Sequence, residues 1–135
     1  MIRKKEKIME KLSKKDILVL TENSPVMILG GKADDFENAV ILDANISSSF
    51  LAVLNGANGL LKPDWLLNLE SKKSRLLVVN NLDKVEKYEQ EKFYEILKYK
   101  TVSNISLPKH TKIIVLAKNL KNINENILRQ CLVIE

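Results

Sequence analysis

The chain has 135 residues, of which 45% are apolar and 29% charged, and a formal net charge of +5. That length predicts a single domain, able to bury about two thirds of its unfolded surface without disulfides or metal. No apolar run approaches the ~20 residues that cross a bilayer, and the charged start Met1-Ile2-Arg3-Lys4-Lys5-Glu6-Lys7 is followed by no apolar signal core, so a cytoplasmic protein with no membrane partner is expected.

Residues 1–16 hold seven basic and three acidic side chains, which leaves the other 119 residues near neutral. The expected electrostatic footprint is therefore a basic amino-terminal helix over about 2–12, with Arg3, Lys4, Lys5 and Lys7, and not a stripe across the domain. A solvated lysine-rich face is the plainer meaning of such a run; contact with nucleic acid or an acidic partner is the sharper one. Cys131 can form no internal bridge and reads as a buried thiol of a reducing compartment.

A second helix is expected over 14–21, opened by Ser13 as N-cap with Asp16 three residues on. Val26 to Gly30 and Ala39 to Asp43 read as buried strands. Ser47 is placed to cap a helix from about 48 to 55, which Asn55-Gly56-Ala57-Asn58-Gly59 ends. Pro63 then opens another helix carrying Trp65, Leu66, Leu67 and Leu69. The apolar run Leu76 to Asn80 is the third strand. Asp83-Lys84-Val85-Glu86 has capping-box spacing and predicts a helix to about Lys98, with Val85, Tyr88, Phe93, Ile96 and Leu97 along one side. Residues 102–108 read as a loop or ragged extended piece, Lys112 to Ala117 as the fourth strand, Asn124 as the cap of a short helix to about Gln130, and Cys131 to Ile134 as the fifth strand. Apolar strands alternating with helices predict an α/β fold, with a five-stranded parallel sheet flanked by helices in three layers.

In open sheets of this kind ligands sit at the carboxyl ends of the strands. There this chain has Asn80-Asn81, two neutral amides that neither balance a magnesium charge nor accept a proton. Gly30-Gly31-Lys32-Ala33-Asp34-Asp35 ends the first strand. A phosphate loop of the form Gly-x-x-x-x-Gly-Lys-Ser/Thr is longer and supplies a hydroxyl, where this chain has Ala33 followed by two carboxylates. Lys32 is the one residue here suited to phosphate, and a turn that merely ends the strand is the plainer account. Asp43 reads as a cap of its following turn and Asp83 as a helix cap. His110 has no Cys or second His at ligand spacing, so no metal is expected, and no base is placed for a nucleophilic triad.

Leu76-Leu77-Val78-Val79-Asn80-Asn81-Leu82-Asp83-Lys84-Val85 resembles the Walker B strand of AAA+ ATPases, a branch of the P-loop NTPases, with both acidic positions replaced by amides. Gln90, Phe93 and Leu97 fall where the next helix of MoxR-like members carries core residues. Lys112 to Asn119 is similar to the sensor 1 strand with its terminal Asn, and Ile127-Leu128-Arg129-Gln130-Cys131-Leu132-Val133-Ile134 resembles the entry to the last core strand of clamp-loader delta-prime subunits. The resemblance covers about residues 14–135. It implies the fourth strand between the first and third, Asn119 at the water-orienting position, and Arg129 one residue early for an arginine finger. It ends ahead of the helical lid that family members place over nucleotide.

The reading is a degenerate, non-catalytic domain with no cofactor. It binds a protein partner, in a replication or other AAA+ assembly, through the basic first helix and the Arg129 edge. Two alternatives stand beside it. One is an atypical nucleotide binder using Lys32, Asp43, Asn80, Asn81 and Asn119; the other is a nucleic-acid binder using the amino-terminal lysines.

Overall fold

The computed structural model describes residues 14–73 and 75–135. The helix expected over 2–12, the Ser13 cap and the basic residues Arg3, Lys4, Lys5 and Lys7 lie outside these.

Apolar runs become parallel strands because each is buried on both faces. β1 (Val26–Leu29), β2 (Val40–Asp43), β5 (Leu76–Asn80), β8 (Lys112–Ala117) and β9 (Leu132–Ile134) form one sheet in the spatial order β2-β5-β8-β1-β9. All four pairings are parallel. Counting only these five strands, the order is 2-3-4-1-5, with the fourth between the first and third; it differs from both the 3-2-1-4-5-6 and the 2-1-3-4-5 doubly wound orders.

Side chains alternate across the sheet. Val40, Leu42, Leu77, Val79, Ile113 and Val115 face the larger core, filled by Trp65, Leu66 and Leu69 of α3 (Asp64–Ser71), Ile96 and Leu97 of α5 (Tyr94–Tyr99), and Ile127 of α6 (Glu125–Leu128). Val26, Ile28, Leu76, Val78, Ile114 and Leu116 face the other way, onto Phe36 and the apolar side of α1 (Lys14–Leu20). This second cover is thin and stops short of the sheet edge. Ile41, which alternation turns toward it from the edge strand β2, stays 43% exposed.

Three expectations are corrected. The helix begun by Ser47 is only α2 (Ser48–Leu51); its cap is present, Ser47 Oγ accepting from the Phe50 N–H at 3.3 Å. The residues read as its end instead build a hairpin, β3 (Leu54–Gly56) and β4 (Gly59–Leu61), turning at Ala57-Asn58. The helix expected to run unbroken to Lys98 is split into a 3-10 turn (Leu82–Lys84), α4 (Lys87–Gln90), a second 3-10 turn (Glu91–Phe93) and α5. Tyr88 consequently points out of the core, 73% exposed. The piece before β8 is a second hairpin, β6 (Thr101–Val102) and β7 (Ile105–Ser106). Its two turn residues, Ser103 and Asn104, both have positive φ, the conformation that matches the twist of a two-residue hairpin.

Candidate functional site

The carboxyl ends of β1, β5 and β8 meet where the topology changes direction, the usual ligand crevice of such a sheet. Its floor is closed by backbone. Gly30 takes a left-handed φ of +84° while its N–H donates to the Ala117 carbonyl at 2.9 Å. The chain then lies flat over the strand ends: a Cβ on Gly31 would stand 3.1 Å from both Ile28 Cγ2 and Leu116 Cδ2. Lys32 follows as an exposed side chain, its own N–H donating to Asp35 Oδ2 at 3.3 Å within the 3-10 turn Ala33–Asp35.

The polar groups around the crevice are turned on one another. Asp43 accepts from the Asn45 N–H at 3.1 Å through Oδ1 and from Asn81 Nδ2 at 3.1 Å through Oδ2. Asn80 lies opposite Asp43 in register, and its carbonyl accepts from the Ala44 N–H. Asn81 is left-handed, with φ 62°, a conformation Asn tolerates better than most residues. Asp83 is not the helix cap its spacing suggested: Glu86 occupies that position, and the Asp83 carboxylate reaches across to accept the backbone N–H groups of Lys118 (3.1 Å) and Asn119 (3.0 Å). Asn119 uses its own Oδ1 to accept from the Lys121 N–H at 3.0 Å, capping the 3-10 turn Leu120–Asn122.

Behind this rim sits Gln90, which the resemblance put at a core position and which the fold uses as a brace. Gln90 is fully buried, and its Nε2 donates to the carbonyls of Leu82 (3.1 Å), Val85 (3.1 Å) and Asn122 (2.7 Å). Its Oε1 accepts from the Asn124 N–H at 2.7 Å. Asn122 Nδ2 donates to the Asp83 carbonyl, so the turns after β5 and β8 are one braced unit. Lys92 adds a cation: its Nζ donates to the Ile46 carbonyl, burial lowers its pKa, and the Glu89 and Asp43 carboxylates work in the opposite direction.

What remains between Gly31, Asn80, Asn81, Asp83 and Lys118 is a hollow of about 20 Å³. A water needs roughly 10–15 Å³ on that measure, and small-molecule sites run to roughly 300–1,000 Å³. Among the predicted residues, Asn80 and Asn81 line the hollow, Lys32 stands outside it, and Asn119 is committed to its cap. Arg129 is exposed in the turn leading to β9, whose first residue bonds Pro25 at the amino end of β1, so it is not brought to the crevice. Cys131 is partly buried against the main core, which pushes its pKa up to about 12. Among the described residues there is no group of three or more His, Cys, Asp and Glu side chains placed to hold a metal ion, and no helix long and apolar enough to cross a membrane.

A larger depression, about 490 Å³, lies beside the edge strand β2 and under the first hairpin. It is lined by Ile41, Phe50, Leu54, Leu61 and Trp65, with Phe50 74% exposed.

The fold is thus a doubly wound parallel α/β domain with a closed switch-point crevice. It is similar to the crystal structure of NtrX from Brucella abortus, at a TM-score of 0.53 and 15% sequence identity, over 89% of this chain and 34% of that one. The chain spans about a third of that protein's length, and the likeness is one of fold. No family model matches the sequence, and no curated protein matches it either.

Proposed function

We propose that the chain is a degenerate AAA+-type core that acts as a non-catalytic interaction domain. The observation that carries this reading is the way the crevice is filled. Gly31 lies on the strand ends, the carboxylates nearest the hollow, Asp43 and Asp83, are engaged by protein donors, and the space left holds about one water. A magnesium nucleotide fits poorly there. Its metal needs carboxylate oxygens that are free to coordinate, and its phosphates need a cradle of unpaired N–H groups. At the end of β5 two amides stand in place of the acids. The position of the fourth strand between the first and third supports the AAA+ assignment, since that placement is the one implied by the sequence resemblance.

The apolar depression beside β2 supports the interaction role. Exposed apolar side chains gathered in one place mark protein contact surfaces more often than isolated ones do, and Ile41, Phe50, Leu54 and Leu61 share one groove. Its complement is an apolar segment of another protein chain.

Calorimetric titration of ATP with magnesium into the purified chain and into Lys32→Ala tests the reading. No saturable heat and no thermal stabilisation at millimolar nucleotide are expected for either. Saturable binding that weakens tenfold or more in Lys32→Ala would overturn it.

A further inference from the structure

The near-neutral balance of residues 17–135 hides a segregation of charge. Residues 72–75 and 98–112 carry seven Lys and Arg side chains and no acid, whereas the rest of that stretch has eight cations and fourteen acids. Parallel topology brings the two segments together, because each leads into the amino end of one of the adjacent strands β5 and β8.

The junction is fastened by backbone and side chain alike. The Lys112 N–H donates to the Arg75 carbonyl at 2.8 Å. Arg75 Nη1 donates to the Lys109 carbonyl at 3.2 Å, and Lys100 Nζ to that of Thr111 at 2.9 Å. Carboxylates that could neutralise the cluster are engaged elsewhere. Glu70 pairs with Lys62 at 2.7 Å, and Glu95 is held by the β6–β7 turn. Among the described residues Glu22 is the acid at the rim, in a concavity of about 450 Å³ lined also by Lys100, His110 and Lys112. Tyr99 stands between Lys98 and Lys100, 61% exposed, with Lys98 Nζ 5.3 Å from its ring centre.

We propose that this amino end of the sheet is a binding surface for the phosphate backbone of single-stranded nucleic acid. Lys100 and Lys112 on the concavity, with Lys72, Lys73, Lys98 and Lys109 on the two converging segments, supply charge for successive phosphates, and the exposed Tyr99 ring gives a base a face to stack on. An anionic membrane is the other polyanion of this charge. It is disfavoured because the strongly exposed aliphatic side chains are not gathered here: Leu54, Leu60 and Leu61 lie on the other hairpin and Leu67 on α3, which leaves Val19 of α1 as the one near this rim among the described residues. The surface is built from other residues than the closed crevice and the apolar groove, and it draws on none of the amino-terminal Arg3, Lys4, Lys5 and Lys7.

The test uses the full chain and a fluorescent oligothymidylate of about 20 nucleotides, longer than most such sites. Anisotropy is followed between about 50 and 200 mM salt. Among the described residues the side chains of Lys72, Lys73 and Lys109 make no hydrogen bond or ion pair, so the triple variant Lys72→Gln, Lys73→Gln, Lys109→Gln should keep the wild-type circular dichroism. It is expected to weaken binding about tenfold or more and to lower the salt slope by about 2. The pair Lys98→Gln, Lys112→Gln repeats the test on the other segment, and Tyr99→Ala should cost about fivefold or more on single strands. The proposal is overturned if the wild type does not bind at low salt, or if the triple variant binds like the wild type. It is equally overturned if binding disappears only when Arg3, Lys4, Lys5 and Lys7 are changed to Gln, or if phosphatidylserine vesicles are bound and the oligonucleotide is not.

Discussion

At the carboxyl ends of the strands the polar side chains spend their hydrogen bonds on the protein itself, whereas at the amino ends Lys100, Lys112 and Glu22 line an open concavity beside two lysine-rich segments. Asp43, Asn81, Asp83 and Asn119 each have a protein partner, and Gly31 covers the strand ends. Lys72, Lys73 and Lys109 at the other end offer their charge to solvent. A parallel sheet makes its carboxyl ends the default ligand site because loops and helix starts converge there. Here that end has become structural, which teaches that position in a fold invites a ligand only where donors and acceptors are left over.

The sharpest way to break the comparison is through Gln90. Gln90→Leu removes the donor to the Leu82, Val85 and Asn122 carbonyls and the acceptor of the Asn124 N–H, leaving the first two carbonyls only long 3.5 Å contacts with the Val85 N–H and Asn122 Nδ2. Each such loss costs about 1–3 kcal/mol in principle, and partial relaxation should hold the total near 3 kcal/mol in a denaturant titration. A cost below about 1 kcal/mol would mean that the turns after β5 and β8 are not braced through this side chain.

Asp83 should have the next largest effect. Asp83→Ala frees the N–H groups of Lys118 and Asn119, and a loss of about 2 kcal/mol is expected. Asp83→Asn keeps one acceptor oxygen and should recover about half of it. If both variants are as stable as the wild type, the carboxylate is not a brace and the closed-crevice reading loses its main strut.

Glu95 gives the smallest and most diagnostic change, because it belongs to the other end. Burial opposes its charge, but hydrogen bonds from the Thr101 hydroxyl and the N–H groups of Asn104 and Ser103 outweigh that and hold its pKa below the ordinary 4.5. The folded chain therefore stabilises the carboxylate more than the unfolded chain does. That stabilisation is complete above pH 4.5 and fades as acid takes the pH down through the lower folded value. Glu95→Gln should cost about 1 kcal/mol at pH 7, since the site is partly open to solvent, and should flatten the acid limb of a melting-temperature profile. A profile that keeps its full slope in the variant would assign the acid sensitivity to other groups.

The strands were readable because burial on both faces leaves an unbroken apolar run, and β1, β2, β5, β8 and β9 each fall within a residue or two of the run that predicts them. The caps Ser47 and Asn124 were readable for the same local reason: a side-chain oxygen serves an N–H two or three residues on. The hairpins were not. Gly56 and Gly59 flank a two-residue turn, a pattern that in a linear reading looks like the end of a helix. Asp83-x-x-Glu86 has the spacing of a cap, yet its carboxylate is claimed by N–H groups 35 and 36 residues away, which no local spacing reveals. Charge was the subtlest miss. A count along the chain adds the cations before β5 and β8 to acids spread over the rest of the domain and returns almost zero, although parallel pairing brings those cations together.

Cys131 carries a practical consequence. Burial pushes its pKa up to about 12, so at neutral pH the thiol stays protonated and an alkylating reagent meets little of the reactive thiolate while the fold is intact. The cysteine immediately precedes β9, an edge strand of three residues secured to the sheet by β1 alone. Detachment of that edge would return the thiol to an ordinary acidity, so its labelling rate in plain buffer would report on β9 from a residue already in the chain.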